Sequence, residues 1–225
     1  MSATIAVLFS AGLDSAVLLA HAAHDNPGSS VQPIYVSAGL AWEAEERAMA
    51  ARLLKAPPYT ASAILPLVSL SVDMRDVYRA SHWAVRGEPP AYDTPDKDVY
   101  IDGRNIVLLS KAAVYMARAR IARVIIGPLA GNPFPDASRE FFDAMQRALS
   151  IGLASTIQID APLASMHKDA VIALGRSLGV PFELTLSCMQ PANGVHCGRC
   201  SKCRERSEAF RDAGVQDPTP YAAKG

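Results

Sequence analysis

At 225 residues, half of them hydrophobic, the chain is long enough to bury a sizeable core and too apolar to be disordered. Lys plus Arg total 22 and Asp plus Glu total 22, so no bulk charge draws it to nucleic acid or to an anionic membrane, and neither partner is expected. No apolar run reaches the length of a membrane span, the first residues lack the basic flank of a signal peptide, and the expected address is the cytoplasm, where thiols stay reduced.

Residues 4–9 (TIAVLF) read as a buried strand, and a turn of small residues leads into a helix from Asp14 to about His24. Residues 31–36 (VQPIYV) give a second strand. Residues 41–55 (AWEAEERAMAARLLK) give a helix with acidic residues early and basic ones late, the order that suits the helix dipole. A third strand lies within 61–70. Residues 71–103 break the rhythm with prolines, aromatics and charges; a loop that long inside a compact domain predicts a lid or binding loop, with disorder as the alternative. Beyond it come a helix over 105–120, a strand over 123–127, a helix over 138–152, a strand over 156–160 and a helix over 167–179.

Strands separated by helical crossovers predict an α/β fold with a doubly wound, mostly parallel sheet. Such sheets bind ligands at the carboxyl ends of their strands. The chain divides on this reading into an α/β domain over 1–180 and a small helical segment over 181–225.

The turn after the first strand reads Phe9-Ser10-Ala11-Gly12-Leu13-Asp14-Ser15. It stands where a doubly wound fold binds phosphate, yet it is neither of the two common glycine-rich phosphate motifs. Its small residues let backbone amides approach an anion, with the hydroxyls of Ser10 and Ser15 alongside. Asp14 suits phosphate only through a bridging magnesium ion. The plainer alternative is an ordinary helix start with Ser or Asp at the N-cap.

All four cysteines fall between 188 and 203, as Cys188, Cys197, Cys200 and Cys203. The two Cys-x-x-Cys steps let neighbouring sulfurs converge on one ion, and four thiolates suit a closed, structural zinc site. An iron–sulfur cluster also takes four cysteines, but the spacing matches none of the usual cluster patterns. His196 could stand in for a cysteine, but four sulfurs already fill the tetrahedron.

The Ser-x-Gly-x-Asp-Ser turn resembles the pyrophosphate loop of the N-type ATP pyrophosphatases. Within that group the cysteine block resembles the 7-cyano-7-deazaguanine synthase (QueC/ExsB) family, whose members end in Cys, a spacer and Cys-Gly-x-Cys-x-x-Cys-x-x-Arg; here this reads Cys197-Gly198-Arg199-Cys200-Ser201-Lys202-Cys203-Arg204-Glu205-Arg206. The stretches 102–113, 135–152 and 161–175 resemble that family's Gly-Arg-Asn, Pro-Asp…Glu-Phe and Thr-Pro-Leu…Lys segments. The resemblance implies a Rossmann-like fold of the adenine nucleotide alpha-hydrolase type. It implies ATP and Mg2+ at residues 9–15, with Gly39, Gly103 and Asn105 also on the nucleotide. Asp14, Lys168 and Arg104 would do the chemistry, while Glu45 and Asp136 would hold the substrate. The implied reaction joins a small-molecule carboxylate, 7-carboxy-7-deazaguanine, to ammonia through adenylated intermediates and ends in a nitrile. A homodimer is expected by the same analogy.

The plain alternatives are a solvated helix lysine at 168 and a cap from Asp102 with Arg104 exposed. Phe141, Phe142, Met145 and Leu149 stand at helical spacing and are expected in the core. The chain departs from the family at Ala11, where glycine is usual and a methyl group fits without strain only at negative φ. It departs again at Ala38-Gly39-Leu40-Ala41-Trp42, in place of Tyr-Gly-Gln-Arg-His, and at Ala137-Ser138, in place of Cys-Arg. Alternative functions are a related enzyme conjugating another carboxylate, a tRNA thiolation enzyme, and a non-catalytic nucleotide-binding module with a zinc knuckle.

Overall fold

The computed structural model describes residues 3–61 and 63–222. Five strands, β1 (Thr4–Leu8), β2 (Ser30–Ser37), β3 (Val68–Ser71), β4 (Arg123–Ile125) and β5 (Gln158–Asp160), form one parallel sheet in the order β3-β2-β1-β4-β5. The helices are α1 (Leu13–Asp25), α2 (Glu43–Leu53), a single turn α3 (Trp83–Arg86), α4 (Arg104–Ala119), α5 (Arg139–Gly152), α6 (Lys168–Ser177) and α7 (Ser201–Asp212). β1 is central, and alternate side chains feed two cores, as the two-residue period of a strand requires. Ile5 and Val7 join α1, α2 and α6 on one face; Ala6 joins α4 and α5 on the other. Phe142 is buried in that second core, with Phe141, Met145 and Leu149 packed against it. No described helix is long and apolar enough to cross a membrane.

α1 and α6 approach closely because residue 175 has no side chain. A Cβ at Gly175 would stand 2.6 Å from the Phe182 ring and 2.7 Å from a Val17 methyl, nearer than real contacts permit.

Residues 71–103 are tied to the body of the protein. Tyr78, Ala84, Val99 and Ile101 are buried. The Tyr78 hydroxyl donates to the Asp102 carbonyl at 2.8 Å, and the Ser201 amide donates to Pro90 at 3.3 Å. Trp83 stacks on Trp42 with ring centres 5.7 Å apart.

The C-terminal residues share the core of β1 and α1, which includes Leu186, all four cysteines and Phe210. Their keystone is Arg206, only 1 % exposed. Its guanidinium donates to Asp217, to the Thr185 and Thr219 hydroxyls and to the Phe182 carbonyl, and lies 5.0 Å over the Phe210 ring. Burial pushes the Asp217 carboxyl up, and Arg206 overrides it, holding the pKa below its ordinary value. Arg206→Met would remove the counter-charge of that buried carboxylate, leaving it the Tyr221 hydroxyl and the Thr219 amide, and would take a donor from three further acceptors. It is expected to cost about 3–5 kcal/mol, read as a lower urea midpoint at unchanged slope.

Candidate active site

The polypeptide crosses from β1 into α1 through Phe9, Ser10 and Ala11. The N-cap of α1 is Gly12, with no side chain capping it, so neither Ser nor Asp plays the ordinary capping part. The first amides of a helix have no partner within it, and together with the helix dipole they make a seat for an anion. The hydroxyls that could cap are turned on the loop itself: Ser15 Oγ donates to the Gly12 carbonyl at 3.1 Å and accepts from the Ser10 amide at 3.2 Å.

Ala11 corrects one expectation. Its φ is +59°, because its carbonyl turns to accept the Leu186 amide at 2.8 Å while its methyl group is fully buried. A left-handed alanine costs roughly 1–2 kcal/mol relative to glycine, which the tie to Leu186 must hold in place.

The loop opens into a cleft of about 330 Å³ at the carboxyl ends of β1, β2 and β4. The two halves of the sheet diverge between β1 and β4, so the cleft lies at the topological switch point. Phe9, Ser10, Gly12, Leu13, Asp14 and Ser15 line it, as do Arg104, Asn105, Asp136 and Lys168. Ala11, Gly39, Gly103 and Glu45 do not. Gly39, at φ +88°, and the Ala38 amide are held by the buried Glu43 carboxylate, which fixes the turn into α2. Gly103, at φ +67°, begins α4.

Lys168 is not a solvated lysine. Its ammonium lies 3.3 Å from Asp14 Oδ2 and pairs also with Glu205 Oε1, while Lys202 reaches Glu205 Oε2 at 2.5 Å. Burial would lower the Lys168 pKa, but Asp14 and Glu205 raise it above its ordinary value, so it is a fixed cation. Burial would raise the Glu205 carboxyl; Lys168 and Lys202 bring it down to about 2. The other oxygen of Asp14, Oδ1, is buried without a partner among the described residues.

α4 begins on a different cap from Asp102. Asp136 Oδ2 accepts the Asn105 amide at 2.8 Å, and Asn105 Nδ2 donates to the Asp136 carbonyl at 2.9 Å. The Asp136 pKa is raised, chiefly by burial. Arg104 lines the cleft, with a buried Nε that has no partner among the described residues.

Glu45 faces away from the cleft. Its carboxylate accepts the amides of Asn193 at 3.3 Å and Gly194 at 2.9 Å, pinning α2 to the cysteine loop. One residue on, about 100° around the helix, Glu46 lines the cleft instead and is buried. Its Oε2 accepts the Tyr35 hydroxyl at 2.8 Å. Burial pushes its pKa up to about 7, against the pull of Arg104 and the Tyr35 bond. A carboxyl whose folded pKa lies above its unfolded value of 4.5 weakens the fold as pH rises through that window, and the cost is complete above about 7.

The four cysteine sulfurs lie within 4.8 Å of one another and are buried. Their closest separations are 3.5, 3.9 and 4.0 Å. A tetrahedron with metal–sulfur bonds of about 2.3 Å needs sulfurs roughly 3.8 Å apart, so the set fits a single zinc-like ion. A cubane iron–sulfur cluster, which ties each sulfur to a separate iron, needs a wider set. The amides of Gln190 and Cys197 point at Cys188 Sγ, at 3.3 and 3.2 Å, and that of Arg199 at Cys197 Sγ, at 3.4 Å, as suits thiolates. His196 stands outside this set, its Nε2 accepting the Ser187 amide at 3.0 Å.

The family model for "Queuosine biosynthesis protein QueC" matches residues 4–214. A 7-cyano-7-deazaguanine synthase of Methanoculleus marisnigri is 34% identical over 95% of this chain and 96% of its own length. One from Methanospirillum hungatei is 32% identical over 95% and 97%. One from Methanothermobacter thermautotrophicus is 39% identical over 56% of this chain, and that match spans 57% of the relative's length. Among solved structures, the U34-tRNA thiolase NcsA of Methanococcus maripaludis, with its [4Fe-4S] cluster, has a TM-score of 0.50 at 12% identity, covering 94% of this chain and 68% of that one. That likeness extends to the fold.

Proposed function

The chain belongs to the QueC family, and on that premise we propose that it is an ATP-dependent ligase converting 7-carboxy-7-deazaguanine and ammonia to 7-cyano-7-deazaguanine. The observation that carries the reading is the uncapped start of α1, with Asp14 in its first turn and Lys168 3.3 Å from that carboxylate, lining one cleft at the switch point.

A carboxylate is a poor electrophile with a poor leaving group. Attack of its oxygen on the α-phosphorus of ATP expels pyrophosphate and makes AMP the new leaving group. Ammonia then displaces AMP and gives an amide. Attack of the amide oxygen on a second ATP expels a second pyrophosphate, and loss of AMP and a proton leaves the nitrile.

What the protein supplies is charge and position. The amides at the start of α1 and the fixed ammonium of Lys168 stabilise negative charge on the departing pyrophosphate. Asp14, with Oδ1 unpartnered, and the Ser10 and Ser15 hydroxyls fit a magnesium ion, which would neutralise phosphate charge. Arg104, from α4, brings a further cation to the same cleft. No cysteine attacks anything in this scheme, in agreement with four sulfurs turned on one point. We assign zinc to that point, closing the fold.

Incubation with magnesium ATP, the deazaguanine carboxylate and ammonium is expected to yield amide, then nitrile, with AMP and pyrophosphate, read by mass spectrometry. ATP consumption only with some other carboxylate would move the substrate and leave the chemistry.

A further inference from the structure

Two buried carboxylates line the cleft without a part in the phosphate chemistry: Asp136, which is taken up in capping α4, and Glu46. Glu46 is 8 % exposed, lies on α2 rather than on the phosphate loop, and is held in orientation by the Tyr35 hydroxyl. Trp42 and Trp83, parallel at 5.7 Å, line the same cleft. Arg104 lines it as well, from α4. Buried carboxylates are costly unless something donates to them; Tyr35 donates to Glu46 with the Trp42 indole close by, and the two oxygens can accept further hydrogen bonds.

We propose that Glu46 reads the base of the acceptor substrate, its carboxylate accepting the lactam N1–H and the 2-amino group of a guanine-type ring. Those two donors are adjacent and point the same way, so one carboxylate can take both, as proteins read an unstacked base at its pairing edge beside aromatic side chains. An adenine ring offers an acceptor at N1 where guanine offers a donor, so the same carboxylate repels it. Glu46 thereby separates the acceptor's subsite from that of ATP. The inference rests on the reading of the acceptor as a deazaguanine.

The chain has two tryptophans, Trp42 and Trp83, and both line the cleft, so quenching of intrinsic fluorescence reports base binding directly, without turnover. Titration with 7-carboxy-7-deazaguanine is expected to quench the parent protein, and the analogue lacking the 2-amino group is expected to bind about 30- to 100-fold more weakly. Glu46→Gln, whose amide turns a donor toward the ring, is expected to weaken the parent ligand by roughly 100-fold and to lose the discrimination between ligand and analogue, with KM for ATP unchanged. Equal binding of the two ligands by the parent would overturn the proposal, and needs no variant. So would a Glu46→Gln protein that raises only KM for ATP. If the deazaguanine binds with these preferences and is never converted, the proposed reaction fails while the assignment of Glu46 stands.

Discussion

Asp14→Asn is expected to cut pyrophosphate release by about 10²–10³-fold, a loss of the size seen when one preorganised electrostatic group is removed from an active site. The change is isosteric, and it removes a negative charge at the point where Lys168 and the start of α1 converge. Lys168 keeps its pairing with Glu205, so the cation should remain in place. The helix loses only a first-turn acidic side chain, a matter of about 0.3–1 kcal/mol, so the melting temperature should change little. The loss should therefore lie in kcat rather than in folding. Unaltered pyrophosphate release by a folded Asp14→Asn protein would remove Asp14 from the chemistry and reduce it to a partner of Lys168.

Removal of the zinc proposed for the four sulfurs is expected to have the largest effect on stability. Binding of structural zinc is worth on the order of 10–16 kcal/mol, comparable with or above the whole stability of a typical domain. The four sulfurs also lie in the same core as β1 and α1, rather than in an appendage. A strong chelator should thus abolish the folded baseline of α7 in circular dichroism and expose the core, and Cys200→Ser should do the same in part. Activity should fall in step with unfolding. One zinc per chain by elemental analysis is the expected content. A chelated protein with an unchanged melting curve would contradict a structural metal, and bound iron with sulfide would contradict zinc.

Much of the fold was legible because apolar β-branched runs alternate with amphipathic ones, and each period reflects a local steric rule. The sequence expectation for β1, α1, β2 and α2 differs from the structure only by a residue or two at the ends. The convergence of the cysteines was legible for a similar reason, since Cys-x-x-Cys spacing brings sulfurs together within a turn. The sequence reading named Glu45 where Glu46 is the acid that lines the cleft, although a signal existed. Glu43, Glu46, Met49, Ala50 and Leu53 share the buried face of α2, and helical phase along 41–55 sets Glu46, not Glu45, on that face.

Other features depended on chain segments far apart in sequence. That α4 takes its cap from Asp136, thirty-one residues on, could not be read from Asp102 beside it. The positive φ of Ala11 depends on Leu186, and the state of Lys168 depends on Glu205. Local patterns determined the elements, the turn into α1 and the convergence of the four sulfurs, because propensity, periodicity and short-range spacing act within a few residues. Only the tertiary structure decided which acid faces the cleft, which cation is fixed and which backbone is strained, because burial and electrostatics depend on what distant segments bring alongside.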